Sequence, residues 1–502
     1  MLLDTLYQYS LTDRIAAYDG NAFISFKELW ERSDAIAAWL LEHDPGKGTL
    51  AIFGDKENDM LSCMFGAVKS GHPYVCIPSY YPVDRINAIV EDSGARVILN
   101  PSPTRIHDVG LPVLTVEELR GLPAASVDAA FYAQPGDLVC MLYTSGSTGT
   151  PKAVRVTYEN LLAKIVQTEE FMKPSMQAER GHAVNLAAYS FSASLSYVYY
   201  VMLYAGWTLY CVPRSVLKDV NDLLDYLEEI NPDVFSCTPS MADRLLSSER
   251  FNPQHFPHMH YTCLGGEPLL IHTVERYKER FPGIRLINGM GMTEATAAAL
   301  TCEITDELMK TSGTFFPVGV ADTPYGYLMD EDGHIITEDD RVGELIVSCK
   351  TVCDGYHNRP KLTKEYFFTD KDGRWAYHTR DLLRQKNGYL YYVGRKDNQV
   401  KIGGNRFELE DVEANMRRVS VVRECAAAVK TLPDGTRTLV GFVVKADSAV
   451  PNMKVIMTVK QQMQSMVESY MIPSKLVFVD ALPKNVNLKL DRAALREMAE
   501  KA

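Results

Sequence analysis

The 502-residue chain has no cysteine pair at CxxC spacing, no HExxH helix, no Walker A element, and no apolar run approaching the roughly 18 residues that cross a membrane. Each absence excludes a class. Its ten cysteines, Cys63, Cys76, Cys140, Cys211, Cys237, Cys263, Cys302, Cys349, Cys353 and Cys425, lie mostly inside apolar runs, which fits free buried thiols in a reducing compartment and implies no zinc site. His255, His258 and His260 crowd together, but Pro257 between them and the lack of a helical metal motif read as a solvated loop. The amino terminus, MLLDTLYQYSLTDRIAAY, has no basic region ahead of an apolar core, so a cytoplasmic, soluble protein without membrane insertion is expected. A net charge of -12 with dispersed basic residues argues against nucleic acid as a partner. Internal repeats and low-complexity tracts are missing as well.

What is present is a rhythm of short apolar runs and helix-length segments. Leu50 to Phe53, Tyr74 to Pro78 and Arg96 to Leu99 read as buried strands. The segment Asp59 to Ser70, closed by Gly71, and one from Pro82 to near Gly94 read as the intervening helices. The pattern returns with strands at Thr208 to Val212, Val234 to Cys237, Tyr261 to Leu264 and Arg285 to Ile287, and a helix over Val216 to Ile230. After about Phe315, Asp332-Gly333, Asp372-Gly373 and Asn387-Gly388 separate short apolar runs and signal hairpins. Helical signals recur at Asp411 to Arg418 and Lys454 to Glu468. The expected architecture is an α/β amino-terminal domain over residues 1–396, with two doubly wound sheets and a small β-rich subdomain, followed by a small mobile α+β lid over residues 397–502.

The densest local signal is Tyr143-Thr144-Ser145-Gly146-Ser147-Thr148-Gly149-Thr150-Pro151-Lys152, directly after the apolar run Leu138 to Leu142. Backbone N–H groups, hydroxyls and one ammonium in so short a span suit a polyphosphate. Pro151 separates Thr150 from Lys152, so the loop is not a Walker A element. Taken alone, the loop also admits the reading of a plain Ser/Gly turn.

Six further strings follow in order: Leu264-Gly265-Gly266-Glu267-Pro268, Asn288-Gly289-Met290-Gly291-Met292-Thr293-Glu294-Ala295-Thr296, Tyr377-His378-Thr379-Arg380-Asp381-Leu382, Gly394 to Gly404, Tyr470-Met471-Ile472-Pro473, and Asn487-Leu488-Lys489-Leu490-Asp491-Arg492. Together with the phosphate loop they resemble the adenylate-forming superfamily of acyl-CoA ligases, peptide-synthetase adenylation domains and luciferases. Length, Gly71-His72-Pro73-Tyr74 and Tyr143 to Lys152 look most like stand-alone amino acid ligases that charge a carrier protein, the D-alanine carrier-protein ligases in particular.

That resemblance implies ATP-dependent formation of an acyl-adenylate, with ATP and Mg²⁺ as cofactors, then transfer to a phosphopantetheine thiol. Thr144, Ser145, Gly146, Ser147, Thr148, Gly149 and Lys152 would hold the phosphates. Lys489 would bridge substrate carboxylate and α-phosphate, screening two anions that repel. Glu294 would be the magnesium ligand, with Thr293 beside it on the α-phosphate; a helix-capping Glu is the competing reading. Asp381 resembles the carboxylate that accepts both ribose hydroxyls, braced by Arg395. Asn288, Gly289, Met290 and the backbone of Gly265, Gly266 and Glu267 would surround the adenine. Asp397 resembles a hinge, with Lys401, Gly403 and Gly404 serving the thiol step. The chain ends ten residues after Arg492, so the carrier protein is expected in trans.

Four positions depart from the family pattern. Phe191-Ser192-Ala193-Ser194 has Ser192 where amino acid ligases carry the Asp that pairs with the substrate ammonium, and an uncharged hydroxyl cannot neutralise a buried ammonium. Gly265 stands where cysteine is frequent, which is expected to leave room in the pocket lined by Ser192, Gly265 and Met290. Met290 replaces an adenine-stacking tyrosine. Arg380 replaces glycine, so φ > 0 is not expected there, and its guanidinium could face solvent or phosphate. Tyr197, Tyr199 and Tyr200 could line the pocket or simply fill the core. Free coenzyme A as the thiol, and a catalytically inactive nucleotide-binding relative, are the alternative functions.

Overall fold

Apolar runs without alternation make strands buried on both faces once crossover helices cover them. In the computed structural model, which describes residues 2–144, 151–176, 178–311, 315–396, 399–484 and 490–502, the strands Val113–Thr115, Ala95–Asn100, Thr49–Gly54, Tyr74–Pro78 and Leu138–Thr144 run parallel in that order, with Lys152–Thr157 at the edge. The helix Asn58–Ser70 between two of them is buried along its whole length. Gly71 ends it at φ 70°, the left-handed conformation a helix stop requires of the residue that follows.

The chain divides into two compact units. The larger comprises Met1–Ser79, Val90–Tyr143 and Ala153–Gly394; the smaller, Tyr80–Ile89, Thr144–Lys152 and Arg395–Ala502. In the larger unit a second sheet runs in the order Ala297–Glu303, Arg285–Met292, Tyr261–Gly265, Val234–Cys237, His182–Asn185, Thr208–Cys211, Ile15–Tyr18, Phe23–Ser25. Its inner strands are parallel and each edge strand pairs antiparallel. Two boundaries differ from expectation. The helix expected over Val216 to Ile230 breaks because Asp219 accepts from the N–H groups of Asn221 and Asp222 and starts a fresh helix, Val220–Ile230. The strand expected to stop at Ile287 continues to Met292, since Ala297–Glu303 folds back and pairs with it.

The hairpin-rich region forms a third, antiparallel sheet around Val342–Ser348 and Trp375–Lys386, the latter turning at Asn387-Gly388 into Tyr389–Arg395. Asn387 and Gly388 sit at φ 50° and 77°, as a two-residue hairpin turn demands. The smaller unit carries the sheet Val422–Thr431, Arg437–Lys445, Lys475–Phe478, the hairpin Gln399–Ile402 with Asn405–Glu408, and the helices Leu409–Arg417, Asn452–Met463 and Arg492–Lys501. All ten cysteines are free, seven of them buried. Among the described residues no helix is long and apolar enough to cross a membrane.

Candidate active site

In a sheet whose strands run parallel, backbone N–H groups and loops converge beyond the carboxyl ends of the strands, where ligands bind. Three neighbouring parallel strands of the larger unit end at Cys237, at Gly265 and beyond Asn288, in the register Cys237 to Leu264 and Gly265 to Gly289. The predicted residues Gly265, Gly266, Glu267, Asn288, Gly289, Met290, Thr293 and Glu294 all lie on these ends. Gly266 turns the chain at φ 86°, and Glu267 fixes the turn by accepting from the N–H of Ser240 at 3.1 Å.

The packing here corrects one expectation. A Cβ at Gly265 would lie 2.6 Å from the carbonyl oxygen of Gly289, so the space left by the missing side chain is filled by the adjacent strand and not offered to a ligand. Gly289 is nearly as tight, with the Cys263 thiol 3.2 Å from where its Cβ would stand. Asn288 is buried; its amide nitrogen donates to the Pro317 carbonyl at 2.8 Å, while its Oδ1 has no hydrogen-bond partner among the described residues. A buried acceptor left open is costly unless a ligand donor completes it.

After Met292 the chain makes a tight turn, Thr293–Ala295, and then two successive residues without glycine's freedom take positive φ, Thr296 at 52° and Ala297 at 84°. Such conformations cost about 1–3 kcal/mol each and persist only where surroundings over-determine them. Here a neighbouring segment does so. The Cys353 N–H donates to the Glu294 carbonyl at 2.9 Å, the Cys353 thiol donates to the Thr293 carbonyl at 3.4 Å, and the Thr296 hydroxyl donates to the Thr351 carbonyl at 2.7 Å. Burial pushes the Cys353 thiol up to about 12, which keeps it a neutral donor. The Glu294 side chain is fully buried, and the Tyr356 hydroxyl donates to its Oε1 at 2.8 Å.

Ser192 and Thr293 come together with hydroxyl oxygens 3.5 Å apart. Met290 is buried at 5% exposure. Tyr197, Tyr199 and Tyr200 are buried in the apolar core, the Tyr199 hydroxyl bonded to that of Tyr74 at 2.8 Å.

Asp381 is buried on the strand Trp375–Lys386, its N–H donating to the Thr379 hydroxyl at 3.0 Å. Arg380, between them, has φ 61°, which overturns the expectation of ordinary backbone. The glycine-like conformation is imposed by the strand, where the Arg380 N–H donates to Glu344 Oε1 at 2.9 Å and the register with Val342–Ser348 shifts. Its guanidinium stands 3.7 Å from Glu365 and 5.2 Å from the centroid of the Tyr366 ring.

In the smaller unit the Lys152 ammonium lies 3.5 Å from Glu408 Oε1, with both side chains largely buried, and the Thr144 hydroxyl reaches the Lys152 carbonyl at 3.5 Å. Arg395 ends the strand Tyr389–Arg395, Lys401 lies on the hairpin, and Gly403 and Gly404 make its turn at φ 55° and 77°. Ser145, Gly146, Ser147, Thr148, Gly149, Asp397 and Lys489 lie outside the described residues. Tyr356 and Cys353 escaped the sequence reading; the one local signal is Gly355, at φ 80°, which turns the chain just before Tyr356.

This arrangement has counterparts. The family model described as AMP-binding enzyme matches residues 7–357, and that for the AMP-binding enzyme C-terminal domain matches residues 411–489. A D-alanine--D-alanyl carrier protein ligase of Streptococcus pneumoniae is 32% identical over 481 residues, covering 93% of this chain and 92% of the relative. One from Bacillus velezensis is 30% identical over 482 residues, covering 94% of each. Among solved structures, an adenylation domain of Vibrio cholerae in complex with glycyl-adenosine-5'-phosphate superposes with a TM-score of 0.83 at 21% identity, covering 99% of this chain and 96% of that one. The o-succinylbenzoate CoA synthetase of Bacillus subtilis superposes with a TM-score of 0.84 at 22% identity, covering 98% of each. These last two share the fold. With its amino-terminal and carboxy-terminal models matched in order and relatives at 30% identity or more along nearly its whole length, the chain belongs to the AMP-binding enzymes.

Proposed function

We propose that this AMP-forming ligase activates a carboxylic acid lacking an α-ammonium and passes the acyl group to the phosphopantetheine thiol of a separate carrier protein. A carboxylate oxygen of the acid attacks the α-phosphorus of ATP, the bond to the bridging oxygen of the β-phosphate breaks, and pyrophosphate leaves. The thiol sulfur then attacks the acyl carbon of the mixed anhydride and AMP departs. The observation that carries the reading is the contact of Ser192 with Thr293 beside the buried Glu294: the residue assigned to the acid and those assigned to the phosphates meet in one place.

Each remaining role is a proposal with its own support. The open Oδ1 of Asn288 suits the exocyclic amine of adenine, a donor that would complete it. The buried Asp381 carboxylate suits the ribose hydroxyls. Lys152 and the loop residues Thr144 to Gly149 suit the phosphates. Lys489 suits the developing charge between carboxylate and α-phosphate, and Arg395, Asp397, Lys401, Gly403 and Gly404 suit the change of conformation between the two half-reactions. Glu294 offers a single carboxylate, which fits Mg²⁺ as a hard cation that takes one or two protein oxygens and fills its other positions with phosphate and water. Bound there, the ion would neutralise phosphate charge; the chain's part is to hold the carboxylate in place.

The acid side lacks a carboxylate at Ser192, and a pair of hydroxyls does not offset the desolvation of an ammonium. For the acceptor, the curated relatives are named for a carrier protein, and charge supports the choice. Residues 395–502 hold 18 lysines and arginines against 13 aspartates and glutamates, whereas the rest of the chain holds 34 against 51. A basic region on an acidic protein suits an acidic partner and speeds its encounter. Thioester formation with a purified carrier protein, set against free coenzyme A at equal thiol concentration, tests the acceptor: acylation of coenzyme A alone would reject it.

A further inference from the structure

One stretch of seven residues bonds to Glu294, to the strand just after the phosphate loop, and to an aspartate shared with the residue just before that loop. At its start, the Cys353 N–H holds the Glu294 carbonyl at 2.9 Å, and three residues on, the Tyr356 hydroxyl holds the Glu294 carboxylate at 2.8 Å. Its middle runs antiparallel to the strand that follows the phosphate loop. There the Arg155 N–H donates to the Gly355 carbonyl at 3.0 Å, the Asp354 N–H to the Arg155 carbonyl at 3.0 Å, and the His357 N–H to the Ala153 carbonyl at 2.8 Å. At its end, Arg359 donates to Asp92 Oδ1 at 2.7 Å, and the Tyr143 hydroxyl, at the root of the same loop, donates to Asp92 Oδ2 at 2.9 Å. Burial and the facing Asp92 carboxylate push the Tyr143 phenol up, so it stays a proton donor to that carboxylate. Asn358 turns at φ 51° and adds a donor to the Asp92 carbonyl at 3.3 Å.

We propose that Cys353–Arg359 is a positioning strap for the ATP site, setting in one register the Glu294 carboxylate and the two chain segments that flank the phosphate loop. The proposal rests on the reading of Glu294 and the loop as ATP-binding. Its logic is geometric: a short antiparallel segment bonded to Glu294 on one side and to the described residues at either end of the loop on the other holds all of them in one register. Tyr356 acts through Glu294, and Arg359 through the Asp92 carboxylate that also receives Tyr143; neither touches a reacting atom, and both are positioning residues.

Tyr356→Phe removes one oxygen and keeps the ring; Asp92→Asn keeps the shape and removes the charge shared by Tyr143 and Arg359. The first measurement is equilibrium binding of ATP to the full-length protein without acid, with Mn²⁺ as the metal, counting free Mn²⁺ by its paramagnetic resonance. The second is acid-dependent ATP/pyrophosphate exchange, with KM for ATP and for the acid determined separately. Loss of a hydrogen bond to a charged group is expected to weaken Mn²⁺–ATP binding about tenfold or more in each variant. KM for ATP should rise with it, and KM for the acid should stay within about twofold of the starting protein. Arg359→Lys, which keeps one cationic donor to Asp92, should fall between the starting protein and Asp92→Asn. Unchanged Mn²⁺–ATP binding in Tyr356→Phe and Asp92→Asn overturns the strap, as does an equal rise of both KM values, which marks general loosening. If the starting protein binds Mn²⁺–ATP but exchanges with no acid, the proposed function fails and the strap is still judged by the binding series.

Discussion

The residues proposed for the nucleotide and the residue proposed for the acid answer sequence change in opposite ways. Arg380 occupies a position at φ 61° that glycine would fill without strain, and the neighbouring Asp381 still lies buried with its N–H on Thr379. There the required property is a backbone path, and the strand holds that path with arginine in place. At Ser192 the required property, if the substrate were an amino acid, is a negative charge, and no packing supplies a charge. Among the described residues the Ser192 hydroxyl meets the neutral Thr293 hydroxyl, at 3.5 Å. Geometry is redundantly specified and survives substitution; a single charge is not. On the proposed assignment, the adenylating apparatus stays fixed while the acid changes.

The largest effect should come from breaking the nucleotide side where charge, not backbone, does the work. Lys489→Ala is expected to cost about 3 to 4 kcal/mol of transition-state stabilisation, a loss of roughly two to three powers of ten in ATP/pyrophosphate exchange, with ATP binding much less affected. A loss under about tenfold would remove Lys489 from the role assigned to it.

Ser192→Asp sharpens the acid side. The new carboxylate beside Thr293 should raise exchange with amino acids relative to amine-free acids by about tenfold to a hundredfold, the range of a hydrogen bond to a charged group, and weaken exchange with the native acid. No change in the ratio between the two classes would show that this position does not face the substrate.

The smallest effect separates backbone from side chain at Arg380. Both Arg380→Gly and Arg380→Ala lose the Glu365 and Tyr366 contacts, but only alanine keeps a Cβ at φ 61°. The glycine variant should therefore be more stable than the alanine variant by about 1 kcal/mol in urea titration. The reverse order would mean that the positive φ relaxes on substitution.

How much of this could be read from the sequence follows the same division. The strand Tyr74–Pro78, the strand Val234–Cys237 and the Asn387-Gly388 hairpin coincide with the apolar runs and turn residues that signal them, because local chemistry suffices there. The helix Val220–Ile230 starts later than its apolar pattern suggests, because Asp219 caps it through a side chain that periodicity does not register. Gly265 and Arg380 differ from the sequence expectation for one reason: the Gly289 carbonyl and the Glu344 carboxylate that decide their environments are contributed by other strands. Tyr356 carries no pattern of its own; its approach to Glu294 is a tertiary contact across 62 residues.

The measurement that tests the account most directly is ATP/pyrophosphate exchange across a panel of D- and L-amino acids, β-amino acids, and benzoic and aliphatic acids, with Lys489→Ala as the control. Exchange is expected with one or more amine-free acids and little with any amino acid, falling by roughly two to three powers of ten in the control. Exchange confined to amino acids would contradict the assignment of Ser192, and silence across the panel would contradict acid activation itself.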